Sequence, residues 1–199
     1  VADKTVEYNG SDQYGNTEYT FSNVVEGQTA TIDYTASYGT LVNTYENGSY
    51  DAASFKVMSG ETDVTGNYTL GTQTAGKLTI TDRSEKYEIT VVANSNTGNT
   101  YDGTSKSATG FVTTTFTVDG NTYTVEGLTT SDPSSINVCS ITNAISGTAV
   151  VKDAAGNDVT SQFTVKTTNG TLSIVAREVT VSVADKTVEY NGSDQYGNT

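Results

Sequence analysis

The strongest constraint on how this chain can fold is that it ends with the residues with which it begins. Residues 1–17 and residues 183–199 are identical at every position and read VADKTVEYNGSDQYGNT. The packing of a folded domain constrains only some positions of such a stretch, so complete identity indicates duplication. The step from residue 1 to residue 183 sets a repeat of 182 residues. We therefore expect the chain to be a section of a tandem array.

A weaker repeat divides this period into two halves. Asp63–Ile80 and Asp158–Ile174 share Asp-Val-Thr, an aromatic residue, a glycine turn and Leu-x-Ile. The sequence Tyr-Asn-Gly-Ser at residues 8–11 returns as Tyr-Asp-Gly-Thr at residues 101–104, and unchanged at residues 190–193. Glycine accepts positive φ, and Asn and Asp tolerate it, so each copy predicts a strand followed by a tight turn. The structural unit is therefore about 90 residues long.

Three segments follow from this period, a first unit, a second unit and the start of a third: 1–82, 83–177 and 178–199. The linkers Thr81–Lys86 and Val175–Val179 are short and contain neither proline nor a glycine run. Short linkers between successive strands restrict hinge motion between domains. We therefore expect the units to lie end to end as a semi-rigid rod.

The composition predicts an all-β protein. Thr, Val, Tyr and Ile favour strands, whereas Gly, Asn and Asp favour turns. Strict alternation at Ala30–Tyr38 and a hairpin pattern at Thr113–Gly127 fit this class. Further strands are predicted to open or close the units at Tyr87–Ala93, Val179–Ala184, Lys77–Ile80 and Thr171–Ile174.

Two stretches carry weak helical signals, one in each unit. Ser49 or Asp51 could cap a short turn within Ser49–Val57. The only proline, Pro133, lies within Ser131–Val138, where the first turn of a helix would tolerate it. We predict short helical turns at these two places.

The charge of the chain excludes several classes of partner. The formal net charge is −13, with 10 basic residues. A surface of this sign repels phosphate backbones and anionic lipids, so we expect no nucleic acid partner. No stretch approaches the roughly 20 apolar residues of a membrane span, so we expect no membrane insertion.

Cys139 is the only cysteine, so no disulfide forms within the chain, and we expect the thiol to be buried.

The sequence predicts no enzyme, no catalytic residues and no cofactor. Histidine, the usual general base and the commonest metal ligand, is missing from the composition. Asp63, Asp153 and Asp158 lie in predicted loops rich in oxygen donors, which suit Ca²⁺. These loops do not have the spacing of a calcium-binding loop, so turns held by aspartate side chains are the alternative.

A covalent cross-link is a further hypothesis for the first unit. An isopeptide bond needs a lysine, an asparagine and a carboxylate buried together. Lys4 and Asn67 are expected on the first and last strands of this unit. The second unit has Gln162 where Asn67 would align, and its Lys86 lies in the linker. Ordinary exposed side chains are the alternative.

The second unit resembles a known class of repeat. Its stretches Tyr101–Phe111 and Ile145–Ile174 are similar to MBG/YDG-type repeat domains of large bacterial surface proteins. The resemblance is weaker in the first unit, where it covers the Tyr-Asn-Gly element and Asp63–Ile80. It implies small β-sandwich domains, Ig-like or related to the β-grasp fold. It also implies an extracellular place on a bacterial cell surface and no catalytic residues.

The leading functional hypothesis is structural: the chain is a section of an extracellular fibre or adhesin stalk that spans distance and presents other domains. Its partners would be neighbouring repeats of the same chain or identical chains. The alternative is an adhesin module that binds a host glycan or protein through tyrosine-rich loops. The tyrosines in question are Tyr8, Tyr14, Tyr45, Tyr50 and Tyr101.

A third hypothesis is assembly of separate chains by strand addition. The first unit begins at Val1, the match of Val183, and so lacks the stretch Glu178–Ser182 that precedes the third copy. The tail of a neighbouring chain could supply that strand. The residues expected to take part are Glu178, Val179, Val181, Val183 and Tyr190.

Overall fold

The protein is built almost entirely of β-strands, which confirms the all-β prediction. The computed structural model describes residues 1–198; Thr199, the last residue of the predicted third repeat, lies outside the described residues. Eighteen strands and two 3₁₀ helices of three residues each occur in that range. None of the helices in residues 1–198 is long and apolar enough to cross a membrane.

The first unit contains eight strands that form three small sheets. They are β1 (Lys4–Glu7), β2 (Gln13–Tyr14), β3 (Gln28–Thr35), β4 (Tyr38–Gly39), β5 (Asn43–Tyr45), β6 (Ser49–Ser59), β7 (Thr62–Asp63) and β8 (Leu78–Thr81). The sheet orders are β1-β8-β5, β2-β4 and β3-β6-β7. A 3₁₀ helix, Thr65–Asn67, follows β7.

The second unit contains ten strands in four sheets. They are β9 (Tyr87–Val92), β10 (Asn96–Thr100), β11 (Lys106–Ser107), β12 (Thr115–Val118), β13 (Asn121–Thr130), β14 (Ser134–Ser135), β15 (Cys139–Asn143), β16 (Ile145–Asp153), β17 (Phe163–Thr168) and β18 (Gly170–Val175). The sheet orders are β10-β18-β15, β11-β14, β12-β13-β16 and β9-β17. A 3₁₀ helix, Thr160–Gln162, precedes β17.

The two units share the arrangement of their closing sheets. β1 runs parallel to β8, and β5 pairs with β8 in the antiparallel sense. β10, β18 and β15 repeat that arrangement, with Asn96 opposite Leu172 as Lys4 is opposite Leu78. β10 carries a bulge between Asn96 and Asn99, where one extra residue enters the strand. The pair β9–β17 has no counterpart in the first unit.

The closing strands contribute fully buried side chains to both units. Leu78 and Ile80 on β8, and Leu172 and Ile174 on β18, are each 2% exposed or less. They alternate with exposed or half-buried residues because side chains of a strand point to opposite faces. Full burial of such a side chain stabilises a fold by about 1.5–3 kcal/mol. The shared Leu-x-Ile motif is thus a core motif of each unit.

Several local predictions are confirmed. The hairpin predicted at Thr113–Gly127 is formed by β12 and β13, and Val118 lies opposite Asn121. Asp119 and Gly120 between them have φ of 48° and 81°. Such positive φ values belong to tight hairpin turns. The opening strand predicted at Tyr87–Ala93 corresponds to β9.

The two predicted helical turns are wrong. Ser49–Val57 belongs to β6, which pairs with β3. Asp51 does form a local turn, but within the strand. Its Oδ1 accepts the N–H of Ala53 at the point where the pairing of β6 with β3 shifts register. Ser131–Val138 is not helical either and contains β14. In both places strand partners outweigh a local helical preference.

Two further predictions differ from the structure. Val179–Ala184 is not a strand, because no segment within residues 1–198 pairs with it. Val179 and Val181 are 87% and 94% exposed. Cys139 is half-buried rather than buried, since it lies at the start of the edge strand β15.

We expect acid to destabilise the protein partly through Asp158. Hydrogen bonds from the hydroxyl and N–H of Thr160 hold the pKa of Asp158 below its ordinary value. A carboxyl with a lowered pKa in the folded state stabilises the fold above its ordinary pKa of about 4, and this contribution is lost as the pH falls below that value. Asp158→Asn keeps an acceptor oxygen but removes the titration.

Thermal unfolding between pH 7 and pH 2 checks this expectation. Wild type should be more stable than Asp158→Asn at neutral pH, and the gap should close below about pH 4. Asp194→Asn, in the exposed tail, should follow wild type throughout. A gap that does not change with pH would contradict the role assigned to Asp158.

Candidate functional site

The first and second units meet at a junction made of side chains rather than strands. Within residues 1–198 no strand of one unit pairs with a strand of the other. We define the junction by four segments: the turn Tyr8–Ser11, the linker Asp82–Glu85, the hairpin turn 119–123, and the 3₁₀ helix Thr160–Gln162. A junction of this kind restricts orientation only if its contacts are buried and directional.

Two tyrosines form the centre of the junction. Tyr8 and Tyr123 are each 1% exposed, and their hydroxyl oxygens lie 3.5 Å apart. Tyr123 packs edge-on against Phe163, with 4.7 Å between ring centroids. Burial raises the pKa of Tyr8 well above its ordinary value, so the hydroxyl stays neutral. The two tyrosines lie between the apolar side chains that β8 buries and those that β9 buries. One buried cluster therefore extends across the junction.

Arg83 fastens the linker to both units. Its Nη1 donates to the carbonyl oxygen of Tyr8 at 3.0 Å and to the hydroxyl of Tyr87 at 3.1 Å. Its guanidinium carbon lies 3.9 Å from the centroid of the Tyr87 ring, a cation–π contact. The Tyr87 hydroxyl donates to Asp119 Oδ2 at 2.8 Å. One charged side chain thus joins the first unit, the linker and the hairpin turn.

The 3₁₀ helix of the second unit binds the other side of the linker. Gln162, 1% exposed, accepts the N–H of Arg83 at 3.0 Å with its Oε1 and donates from its Nε2 to Asp82 Oδ1. Ser161 Oγ also donates to Asp82 Oδ1, at 3.0 Å. A buried amide that uses both its donor and its acceptor holds its partners in one arrangement.

The turns of the two units also touch directly. Asn121 Nδ2 donates to the carbonyl oxygen of Asn9 at 3.4 Å and to Ser11 Oγ at 3.2 Å. Gly10 in this turn has φ of 79°, and a methyl group built on it would collide with the hydroxyl of Tyr123. Glycine is therefore required at residue 10 both by the backbone conformation and by the closeness of the second unit.

The junction residues were largely missed by sequence reasoning. The sequence predicts Tyr8 in a binding loop and distinguishes Gln162 only as the residue that aligns with Asn67. Arg83 lies in the linker, where nothing in a single sequence distinguishes it from a solvated charge. A useful signal is the Tyr-x-Gly element itself, since the buried Tyr8 precedes the glycine that lets the second unit approach.

The calcium candidates do not come together. Asp153 accepts the N–H groups of Ala155 and Asn157 at 2.9 and 2.8 Å. Asp63 and Asp158 each accept the N–H of the threonine two residues later, at 2.9 and 3.0 Å. Residues 1–198 contain no group of three acidic or sulfur ligands suited to a metal ion. These aspartates stabilise turns, the alternative that the sequence had left open.

The cross-link candidates are not buried together. The Nζ of Lys4 donates to the carbonyl oxygen of Tyr14 at 2.9 Å on an exposed surface. Asn67 ends the 3₁₀ helix of the first unit and is exposed. Neither side chain has the burial that isopeptide chemistry needs.

The five tyrosines of the binding hypothesis occupy different environments. Tyr8 is buried in the junction, and Tyr45 and Tyr50 are half-buried. Tyr14 and Tyr101 are 55% and 40% exposed but lie in different units. They do not form one exposed aromatic face, so their arrangement favours packing roles.

The assembly residues lie together on the tail that follows the second unit. All five are exposed, and the hydrogen bonds made by residues 178–198 stay within that segment. They are Glu178, Val179, Val181, Val183 and Tyr190.

We expect Gly10→Ala to open the junction. The added methyl group meets Tyr123, and the positive φ adds strain. Gly103→Ala is the matched control, because Gly103 has φ of 78° in the equivalent turn but nothing within 4 Å of the new methyl group. Distances between spin labels on the two units should broaden in the first variant only. Equal broadening in both would show that turn strain, not the junction, controls orientation.

Comparison of the chain with protein-family models, with curated proteins and with solved structures finds no match.

Proposed function

We propose that this chain is a structural section of a repetitive extracellular fibre or adhesin stalk, in which β-units joined in series span distance. The observation that carries the proposal is the junction: a buried tyrosine pair, a bound arginine and a buried glutamine hold two successive units together. A protein that only needed to connect two domains would manage with a flexible linker.

Half of a second junction supports the same conclusion. Arg177 follows the second unit as Arg83 follows the first, and its Nε donates to the carbonyl oxygen of Tyr101 at 2.8 Å. The N–H of Tyr101 donates to Val175 O at 2.9 Å, the same distance as from Tyr8 to Thr81. Tyr101 is 40% exposed, whereas Tyr8 is 1% exposed. A further unit that docks onto Tyr101 would bury it as the second unit buries Tyr8.

The surface chemistry agrees with a spacer role. The net charge of −13 keeps a long array soluble and opposes contact between neighbouring fibres. The bacterial cell surface remains part of the proposal through the resemblance of Tyr101–Phe111 and Ile145–Ile174 to repeats of surface proteins.

A chain of two periods tests the proposal. We expect residues 1–182 followed directly by residues 1–199 to have roughly twice the maximum dimension of the single chain in small-angle X-ray scattering. Rigid units in series add length linearly, whereas flexibly linked units grow as about the square root of their number. If the maximum dimension of the two-period chain hardly exceeded that of the single chain, the proposal of a stalk would be contradicted.

Matched variants show whether the junction sets this length. In the two-period chain, Arg83→Ala in each period removes the contacts to Tyr8 and Tyr87. This substitution should reduce the maximum dimension of that chain. Lys86→Ala removes the same charge from the same linker at an exposed position and should leave it unchanged. Equal effects of the two substitutions would assign the stiffness to charge rather than to the junction.

A further inference from the structure

Asparagine followed directly by glycine is a pair of residues that can modify itself. The backbone nitrogen of the glycine can attack the side-chain carbonyl carbon of the asparagine, because glycine has no side chain to obstruct the approach. The pair occurs four times, at residues 9–10, 47–48, 169–170 and 191–192. The first three copies lie within the two folded units, and their surroundings differ.

The amide of Asn47 is held on both sides. Its Oδ1 accepts the N–H of Tyr38 at 2.8 Å, and its Nδ2 donates to the carbonyl oxygen of Tyr38 at 3.0 Å. The N–H that would have to attack, that of Gly48, donates to Ser37 Oγ at 3.0 Å. Attack at Asn47 would therefore require three hydrogen bonds to break.

The amide of Asn169 is restrained by the closing sheet of the second unit. Its Oδ1 accepts the N–H of Ile145 at 2.9 Å. Gly170 is buried at the start of β18 and lies opposite Asn143 of β15. Movement of the Gly170 nitrogen towards the amide would disturb this ladder, so the fold protects Asn169 as well.

Asn9, in the junction, is arranged differently. It is exposed, and its Oδ1 accepts the N–H of Ser11 at 2.9 Å. This hydrogen bond folds the side-chain amide back over the peptide that joins Asn9 to Gly10. It also stabilises the negative charge that the carbonyl oxygen gains during an attack. Within residues 1–198, neither Asn9 Nδ2 nor the N–H of Gly10 has a hydrogen-bond partner, so the leaving group and the attacking group are both free.

The equivalent turn of the second unit lacks the reactive amide. Asp102 takes the place of Asn9, and its Oδ1 accepts the N–H of Thr104 at 2.9 Å, which is the same turn hydrogen bond. A carboxylate resists attack because its negative charge makes its carbon a poor electrophile. The turn is thus common to both units, whereas the group that can react belongs to the first.

We propose that Asn9 is a self-modification site whose deamidation loosens the junction between the two units. The Gly10 nitrogen bonds to the Cγ of Asn9, the bond from Cγ to Nδ2 breaks, and ammonia leaves with the proton of the Gly10 nitrogen. Water then opens the five-membered ring at either of its carbonyl carbons and gives aspartate or isoaspartate. The inference goes beyond the proposed function, since it gives the junction a limited lifetime.

Isoaspartate changes the part of the turn that contacts the second unit. Its main chain runs through Cβ and Cγ, so the turn gains one methylene group. The main-chain carbonyl of Asn9, whose oxygen accepts from Asn121 Nδ2 at 3.4 Å, becomes a carboxylate outside the main chain. Gly10 has no room to absorb the extra length, since a methyl group on it would already collide with Tyr123. The junction must open to accommodate this product.

Ageing of the full chain at mildly alkaline pH tests the site. Digestion after glutamate separates the four asparagines into the peptides 8–18, 47–61, 127–178 and 190–199. Asn9 should deamidate roughly tenfold or more faster than Asn47 or Asn169, because the hydrogen bonds of those two residues raise the barrier to attack. The rate at Asn9 should rise with pH, since the nitrogen attacks after it loses its proton. Equal rates at Asn9, Asn47 and Asn169 would overturn the proposal.

Distances between spin labels on the two units test the effect on the junction. They should broaden during ageing in proportion to the isoaspartate at Asn9, which isoaspartate-specific methylation of the peptide 8–18 measures. Isoaspartate at Asn9 without broader distances would overturn the proposal. The length of the freshly prepared two-period chain does not depend on this result, so the proposed function and this inference fail separately.

Asn9→Asp is the matched variant. It keeps an acceptor for the N–H of Ser11 and carries the charge of the product, but it lacks the added methylene group. Its distances should be as narrow as those of fresh wild type and should stay narrow over the same period of ageing. Broad distances in the fresh variant, or equal broadening in the aged variant and aged wild type, would overturn the role assigned to deamidation.

Discussion

The organisation of this protein depends on the parallel pairing of the first strand of each closing sheet with the last. β1 lies beside β8 and β10 beside β18, each pair running in the same direction. A chain that begins and ends on parallel neighbours enters at one end of the unit and leaves at the other. Antiparallel closure would return the chain to its starting end. The parallel ladder thus makes extension possible, and the Leu-x-Ile motif on β8 and β18 anchors it in the core.

The end of the first unit, where the chain leaves it, also forms the contact with the second unit. Tyr8 follows β1, and its N–H donates to Thr81, the last residue of β8. Its carbonyl oxygen then accepts from Arg83 in the linker, and its ring is covered by the second unit. The closing sheet, linker and junction are therefore one connected set of hydrogen bonds. Because a buried tyrosine pair and a buried amide tolerate few alternative geometries, the orientation of the units follows from the fold of each.

The all-β class and the turn chemistry could be predicted from the sequence, and the site could not. Two identical ends, a Leu-x-Ile motif and Tyr-x-Gly turns are visible as patterns, and patterns report local geometry and burial. The junction depends on which surfaces meet, so Arg83 and Gln162 look like ordinary polar residues until the units are in place. The helical turns predicted around Asp51 and Pro133 failed for the same reason, since strand pairing with distant residues decided those segments.

The two identical ends of the chain show which features are local and which depend on the folded surroundings. The turn hydrogen bonds recur in both copies: Ser11 to Asn9 and Ser193 to Asn191, at 2.9 and 3.0 Å. These bonds join neighbours along the chain, so the sequence alone determines them. Residues 4–7 form a strand, whereas the identical residues 186–189 do not. Tyr8 is 1% exposed and its copy Tyr190 is 91% exposed. A strand and a buried side chain need partners from elsewhere in the molecule, and β8 and the second unit supply them only to the first copy.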